Sequence, residues 1–314
     1  MELKGIIQSE TDLPVGFVDD ALRHARRYVK RFKIKKKNGG ERVIYHPAKK
    51  LKVIQYWLLL NVFDRLPVHR AAMAYRSGLS IMDNAAKHRH GRYFLRLDFS
   101  DFFPSIKYHD LEPKLVAWHK LSAPAWELNE EAKLLIRLAS FGSNDELLIG
   151  YPTSPSISNA VMYEADDALS KLAQDTRRFG RTVYTRYADD LVFSTDIKGA
   201  CRDLESAVRD LVKNLTAPRL RINDSKTRYG SSSGGTASVT GIRVCEGGHL
   251  TIHRRHKDHI RLLLGLYTKG RLSAEEQRSL IGHLQYCRHV APQFYSSLQI
   301  RRFREIAELM GRGT

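Results

Sequence analysis

Arg186-Tyr187-Ala188-Asp189-Asp190 is the segment of this chain with the clearest chemical content. It lies between two apolar runs, Thr182-Val183-Tyr184 and Leu191-Val192-Phe193. Adjacent acids flanked by β-formers predict a hairpin with the carboxylates at its tip. Two neighbouring carboxylates repel each other, and divalent cations relieve that repulsion. Asp98 adds another acid, inside the strand-like run Tyr93-Phe94-Leu95-Arg96-Leu97-Asp98-Phe99. One acid on a strand and two on a neighbouring hairpin can hold two Mg²⁺ ions for phosphoryl transfer. The competing assignment makes Asp98, Asp189 and Asp190 ordinary turn and cap residues. Asp101 follows Asp98 at an odd offset, facing the other way on a continuing strand or sitting in the turn before Pro104. It reads as structural or capping.

Elements that would position these acids are visible along the chain. Residues 17–32 have helical spacing. Lys33 to Tyr45 reads as strand, turn, strand, with Asn38-Gly39-Gly40 at the bend. This basic hairpin could fold over a triphosphate or be a solvated Lys-rich turn. Helices are expected over 48–66, 109–121, 129–140, 156–174 and 200–214. A short strand covers Leu220-Arg221-Ile222, and two more surround Val239 and Thr251. Three basic helices, about 254–268, 273–290 and 292–310, end the chain. The fold class is α+β.

The 314 residues include 52 Lys+Arg against 34 Asp+Glu, a formal charge of +18. That excess favours a polyanionic partner, with nucleic acid the default and a solvated basic surface the alternative. No apolar run of about 18 residues predicts a membrane span, and the start lacks a signal-peptide core. Cys201, Cys245 and Cys287 are far apart, so a reduced cytoplasmic protein is expected. His253, His256 and His259 share a helical face, but no Cys or acid there completes a zinc set; nucleic-acid or solvent contact is expected.

Asp98 followed by Phe99-Ser100-Asp101-Phe102-Phe103, then Pro152-Thr153-Ser154-Pro155, then Tyr187-Ala188-Asp189-Asp190, occur in that order. The ordered set resembles the palm motifs of reverse transcriptases, over about residues 35–245. The resemblance implies a right-hand polymerase fold: N-terminal region and fingers 1–92, palm 93–108 and 148–245, fingers/palm helices 109–147, and a helical thumb 246–314. It implies an RNA-directed DNA polymerase using dNTPs. Phe103 then matches the aromatic gate that a 2′-OH would strike. Arg42, with Lys35 or Lys36, matches the fingers grip on the triphosphate, Arg42 ranking first for its bidentate geometry. Lys226 matches the lysine that protonates pyrophosphate, or is a surface lysine near DNA. Gly150 would let backbone approach a nucleotide, and Pro152 would stiffen the loop against the templating pair. The usual Leu-Pro-Gln-Gly reads Leu147-Leu148-Ile149-Gly150, a departure that bears on nucleotide selection.

Arg42-Val43-Ile44-Tyr45-His46-Pro47, Asn84-Ala85-Ala86-Lys87-His88 and Val239-Thr240-Gly241 look like features of bacterial retron reverse transcriptases. That implies a cognate structured noncoding RNA, priming from an RNA 2′-OH, a branched RNA–DNA (msDNA) and antiphage defence with an effector protein. A group II intron-like or diversity-generating enzyme, or a scaffold with dispensable catalysis, are the alternatives. Asn84, His88, Val239, Thr240 and Gly241 are expected to touch RNA. Arg254, Arg255 and Arg261 would meet phosphates.

Overall fold

The computed structural model describes residues 1–35 and 39–311. Strands β1 (Val29–Lys35) and β2 (Glu41–Pro47) form an antiparallel ribbon. The expected helix over 17–32 is thus corrected: it stops at Arg23, and the strand begins at Val29. Lys36 and Asn38 lie outside the described residues.

A five-stranded antiparallel sheet follows. β3 (Tyr93–Ser100) is central. β4 (Val183–Tyr187) and β5 (Asp190–Thr195) form a hairpin whose second strand pairs with β3. β6 (Arg221–Ile222) and β7 (Arg228–Ser231) share the opposite edge of β3. A small sheet holds β8 (Ser238–Val239), β9 (Ile242–Val244) and β10 (Leu250–Ile252).

Alternation along β3 and β5 sorts side chains to two faces. Leu95, Leu97, Phe99, Leu191 and Phe193 enter the larger core, covered by the helices of the first two thirds of the chain. Phe94 and Val192 enter a second core with Val239, Ile242 and the C-terminal helices. Burying each such side chain contributes roughly 1.5–3 kcal/mol. Asp98 and Asp190 lie on this second face, where the apolar cover ends.

Helix ends follow local chemistry. Ser80 and Asp83 close a capping box on Ile81–Lys87, and Ser273 and Glu276 do the same on Ala274–Val290. The helix expected over 156–174 is two, Ser154–Val161 and Tyr163–Ala173. The last helix breaks at Arg302 into Pro292–Arg301 and Phe303–Gly311. Among the described residues, no helix is long and apolar enough to cross a membrane.

Several residues expected to meet RNA are structural instead. Asn84, His88 and Val239 are fully buried, so they offer RNA no surface. Val239 pairs with Ile242, and Thr240-Gly241 forms the two-residue turn between them, both with positive φ. The Thr240 hydroxyl donates to the Ile81 carbonyl, docking this turn on the helix that carries Asn84. His88 is hydrogen-bonded to Ser194 Oγ at 2.8 Å and to Thr185 Oγ1 at 2.7 Å, tying that helix to β5 and β4.

Burial pushes the His88 imidazole down to about 3, so it is neutral in the fold. The unfolded chain takes up the proton near pH 6.5, so stability is full above that pH and falls as pH drops toward 3. Between pH 7.5 and 5 this one group should cost about 2 kcal/mol. Urea unfolding at both pH values should show His88→Gln losing less stability than wild type; an equal loss would contradict this assignment.

Candidate active site

The β4–β5 hairpin turns through Ala188 and Asp189, with Tyr187 paired to Asp190. Ala188 has φ +57, a left-handed position that closes the tight turn. Asp190 lies directly opposite Asp98 in the β3–β5 register. The Asp189 carbonyl faces β3 and accepts from Phe99 N at 3.0 Å. The structure therefore brings Asp98, Asp189 and Asp190 to one end of the sheet.

The acids strain against one another. Desolvation raises the Asp189 carboxyl above its usual range, and Asp98 and Asp190 raise it further. Desolvation also raises Asp190, offset partly by Arg96, whose guanidinium lies 3.6 Å away. Lys226 Nζ donates to Asp98 Oδ1 at 2.7 Å. An ammonium thus stands against the buried Asp98 carboxylate, showing that this corner accepts a cation. Among the described residues no group of three His, Cys, Asp or Glu forms a ready-made metal cage. Mg²⁺ needs none: it commonly takes one or two carboxylates and completes its shell with substrate phosphates and water. Asp98, Asp189 and Asp190 fit that donor chemistry.

A cavity of about 570 Å³ opens beside the acids, lined by Asp98, Asp189, Phe103, Arg42, Lys226 and Tyr75 among others. Five expected site residues therefore share one space. Others do not. Lys35 pairs with Glu41 at the end of the ribbon, outside the lining. Gly150 and Pro152 are outside it too. A Cβ on Gly150 would come within 2.4 Å of the Tyr45 carbonyl oxygen, and its φ is +106. Its permissiveness serves close approach to β2, where Tyr45 N donates to Ile149 O at 2.8 Å. Asp101 starts the short helix Phe102–Ser105 with φ +46 but makes no side-chain cap, correcting the capping expectation.

The C-terminal cations are partly engaged. Arg254 and Arg261 both reach Asp258, and Arg261 lies over the Phe294 ring at 5.1 Å. Arg255 is exposed. His253 caps its helix by accepting from Arg255 N, and His256 bonds His283 at 3.1 Å.

Sequence reasoning missed the frame behind the hairpin. Arg186 is fully buried on the face opposite the acids and forms a fork with Asp166, also fully buried. Its Nε donates to Asp166 Oδ1 at 2.8 Å and an Nη to Oδ2 at 2.7 Å. The remaining donors reach Asn159 Oδ1 and the Ala188 carbonyl in the turn. Tyr184 donates to the same carboxylate at 2.8 Å. Asp166 gave a weak signal, an acid among Ala165, Leu169 and Ala173 on an apolar helix face. Arg96 was findable, lying two residues before Asp98 and hence on its face. Tyr75 carried no periodic signal.

Asp166→Ala strands a buried guanidinium, which costs about 3–5 kcal/mol. Urea denaturation should show that loss; a change below about 1 kcal/mol would mean water reaches Arg186.

The sequence profile of the family described as "Reverse transcriptase (RNA-dependent DNA polymerase)" matches residues 34–265. Retron Ec73 reverse transcriptase of Escherichia coli is 39% identical over 308 residues, covering 98% of this chain and 96% of that protein. Retron Ec83 reverse transcriptase of Escherichia coli is 29% identical, covering 93% and 94%. Retron Mx65 reverse transcriptase of Myxococcus xanthus is 31% identical over 88% of this chain and 64% of its own length. Among solved structures, apo telomerase from Candida tropicalis, truncated of its C-terminal domain, has TM-score 0.49 and 12% identity. That match covers 75% of this chain and 59% of the telomerase chain. With the acid corner and its cavity, the near full-length match makes this chain a reverse transcriptase, an RNA-directed DNA polymerase of the retron type.

Proposed function

We propose that this enzyme copies a cognate structured noncoding RNA into DNA, starting from a 2′-OH of that RNA and leaving a branched RNA–DNA product, msDNA. The observation that carries the polymerase chemistry is Asp98 opposite Asp190, with Asp189 in the adjoining turn, beside a cavity shared with Arg42, Phe103 and Lys226. The retron substrate is supported by 39% identity to a retron enzyme over nearly the whole chain. Antiphage defence alongside an effector protein is part of the same proposal.

The layout we assign is fingers over 1–92, palm over 93–108 and 148–245 with helices 109–147 between, and thumb over 246–314. Asp98, Asp189 and Asp190 hold two Mg²⁺ ions. Bound there, such ions lower the pKa of the attacking hydroxyl and neutralise the triphosphate and departing pyrophosphate. Arg42, on β2 above the cavity, grips the phosphate oxygens. Lys226 protonates the departing pyrophosphate. The Phe103 ring takes the space a ribose 2′-OH would need. Arg254, Arg255 and Arg261 draw RNA phosphates to the thumb.

Removing one carboxylate forfeits several kcal/mol of charge stabilisation, so Asp189→Asn should cut dNTP incorporation at least about a hundredfold. The same change removes one of the mutually repelling acids, so the metal-free variant should unfold at the same or a higher temperature than wild type. Retained incorporation would remove Asp189 from the site. Sequencing the nucleic acid that copurifies should find a branched RNA–DNA species; an unbranched intron transcript would reject the retron substrate. A folded, RNA-bound Asp98→Asn protein that defends as well as wild type would make polymerisation dispensable.

RNA affinity should fall steeply between 50 and 200 mM salt, through counterion release from phosphates met by Lys and Arg. A flat salt dependence would contradict a phosphate-gripping surface.

A further inference from the structure

We propose that Tyr75 is a positioning residue for the Phe103 ring and so sets discrimination between deoxyribonucleotides and ribonucleotides. This rests on Phe103 acting as the sugar gate.

Tyr75 has φ +59, a left-handed backbone rarely adopted by residues with a Cβ. Its side chain is 50% exposed, and its hydroxyl has no hydrogen-bond partner among the described residues. Nothing in core packing or hydrogen bonding accounts for holding a large aromatic in that conformation. Strain of this kind collects where a ligand must be met.

The surrounding chain fixes the strained residue. Arg186 N donates to Ala71 O and Met73 N to Arg186 O, both at 2.8 Å, stitching the preceding residues to the acid-bearing hairpin. Asn159 Nδ2 donates to Ala74 O at 2.9 Å, from the same Asn that meets Arg186. Arg76 donates to Ala72 O at 3.1 Å, and Ala71, Ala72, Met73 and Ala74 are buried. Tyr75 is therefore held in register with the Asp189 turn.

Its ring lines the cavity and lies 6.4 Å from the Phe103 ring, tilted by 52°. Phe102 meets Phe103 from another direction at 5.4 Å, edge to face. Phe103 sits on a four-residue helix opened by a left-handed Asp101 and lacking a side-chain cap. Such a short element does little to lock a rotamer, so neighbouring rings must fix the angle at which Phe103 meets the sugar. Phe102 is buried core and Tyr75 is the exposed brace.

The test is single-nucleotide primer extension, reading the ratio of kcat/KM for a dNTP to that for the matching rNTP. A loss of nucleotide binding common to both sugars leaves this ratio unchanged. Tyr75→Ala should lower the ratio at least about tenfold, while Tyr75→Phe keeps it within about twofold. Tyr75→Asn, which tolerates a left-handed backbone, should match Tyr75→Ala and serves if the alanine variant does not fold. In a Phe103→Val background, Tyr75→Ala should lower the ratio no further, because the two act through one ring. If Phe103→Val lowers the ratio but Tyr75→Ala and Tyr75→Asn keep the wild-type value, the brace is overturned and the gate stands. If Phe103→Val itself keeps the wild-type ratio, the gate fails and the role of Tyr75 falls with it.

Discussion

Carboxylates set opposite each other on paired strands repel, and this protein places Asp98 and Asp190 in that relation. Asp189 in the adjoining turn adds a further negative charge, and partial burial denies all three full hydration. Left alone, the hairpin would relax by moving away from β3. It stays because the strands are clamped by backbone pairing and by side chains on both faces. Cations already lean on the acids: Lys226 on Asp98 and Arg96 near Asp190. The site is thus a charge arrangement the fold holds at a cost, and binding of a divalent ion would recover that cost.

The clamp has two sides of different chemistry. One face of the sheet rests on an apolar core into which the fully buried Arg186–Asp166 fork is set. A fully buried ion pair of this kind is weak evidence for net stability, but it gives geometry. The guanidinium's fixed fork reaches the Asp166 carboxylate, Asn159 and the turn carbonyl of Ala188 together. The other face carries Phe94 and Val192 into the C-terminal core and then, at the next paired position, presents the acids, with Asp98 buried and Asp190 partly so. The β3–β5 strands therefore tie the C-terminal helices to the acid corner through a shared sheet rather than through a linker.

Much of this was legible in residue order. Period-two alternation around Asp98, and two acids between apolar runs at Asp189-Asp190, define strand and hairpin by local rules, and the structure pairs them. Helices with strong apolar spacing were legible to within a few residues. What failed depended on tertiary placement. Asn84, His88 and Val239 look polar or strand-terminal in sequence, but whether a motif faces solvent or a neighbouring element is not encoded in its own spacing. Gly150 was tied to the ligand because a glycine signals close approach; only the fold shows that the approaching group is the Tyr45 backbone. The Arg186–Asp166 fork joins residues 20 apart, and Tyr75 is placed by bonds to strand and helix from elsewhere in the chain. Neither leaves a periodic trace.

In the proposed reaction Asp98 and Asp189 act as parts of one divalent-cation site. Thermal unfolding of the full chain under a Mg²⁺ titration tests it most directly, because an ion bound only by the folded state raises the midpoint with concentration. The wild-type midpoint should climb, and that of the Asp98→Asn, Asp189→Asn double variant should stay flat. An equal climb in both proteins would place the ion elsewhere and contradict the account.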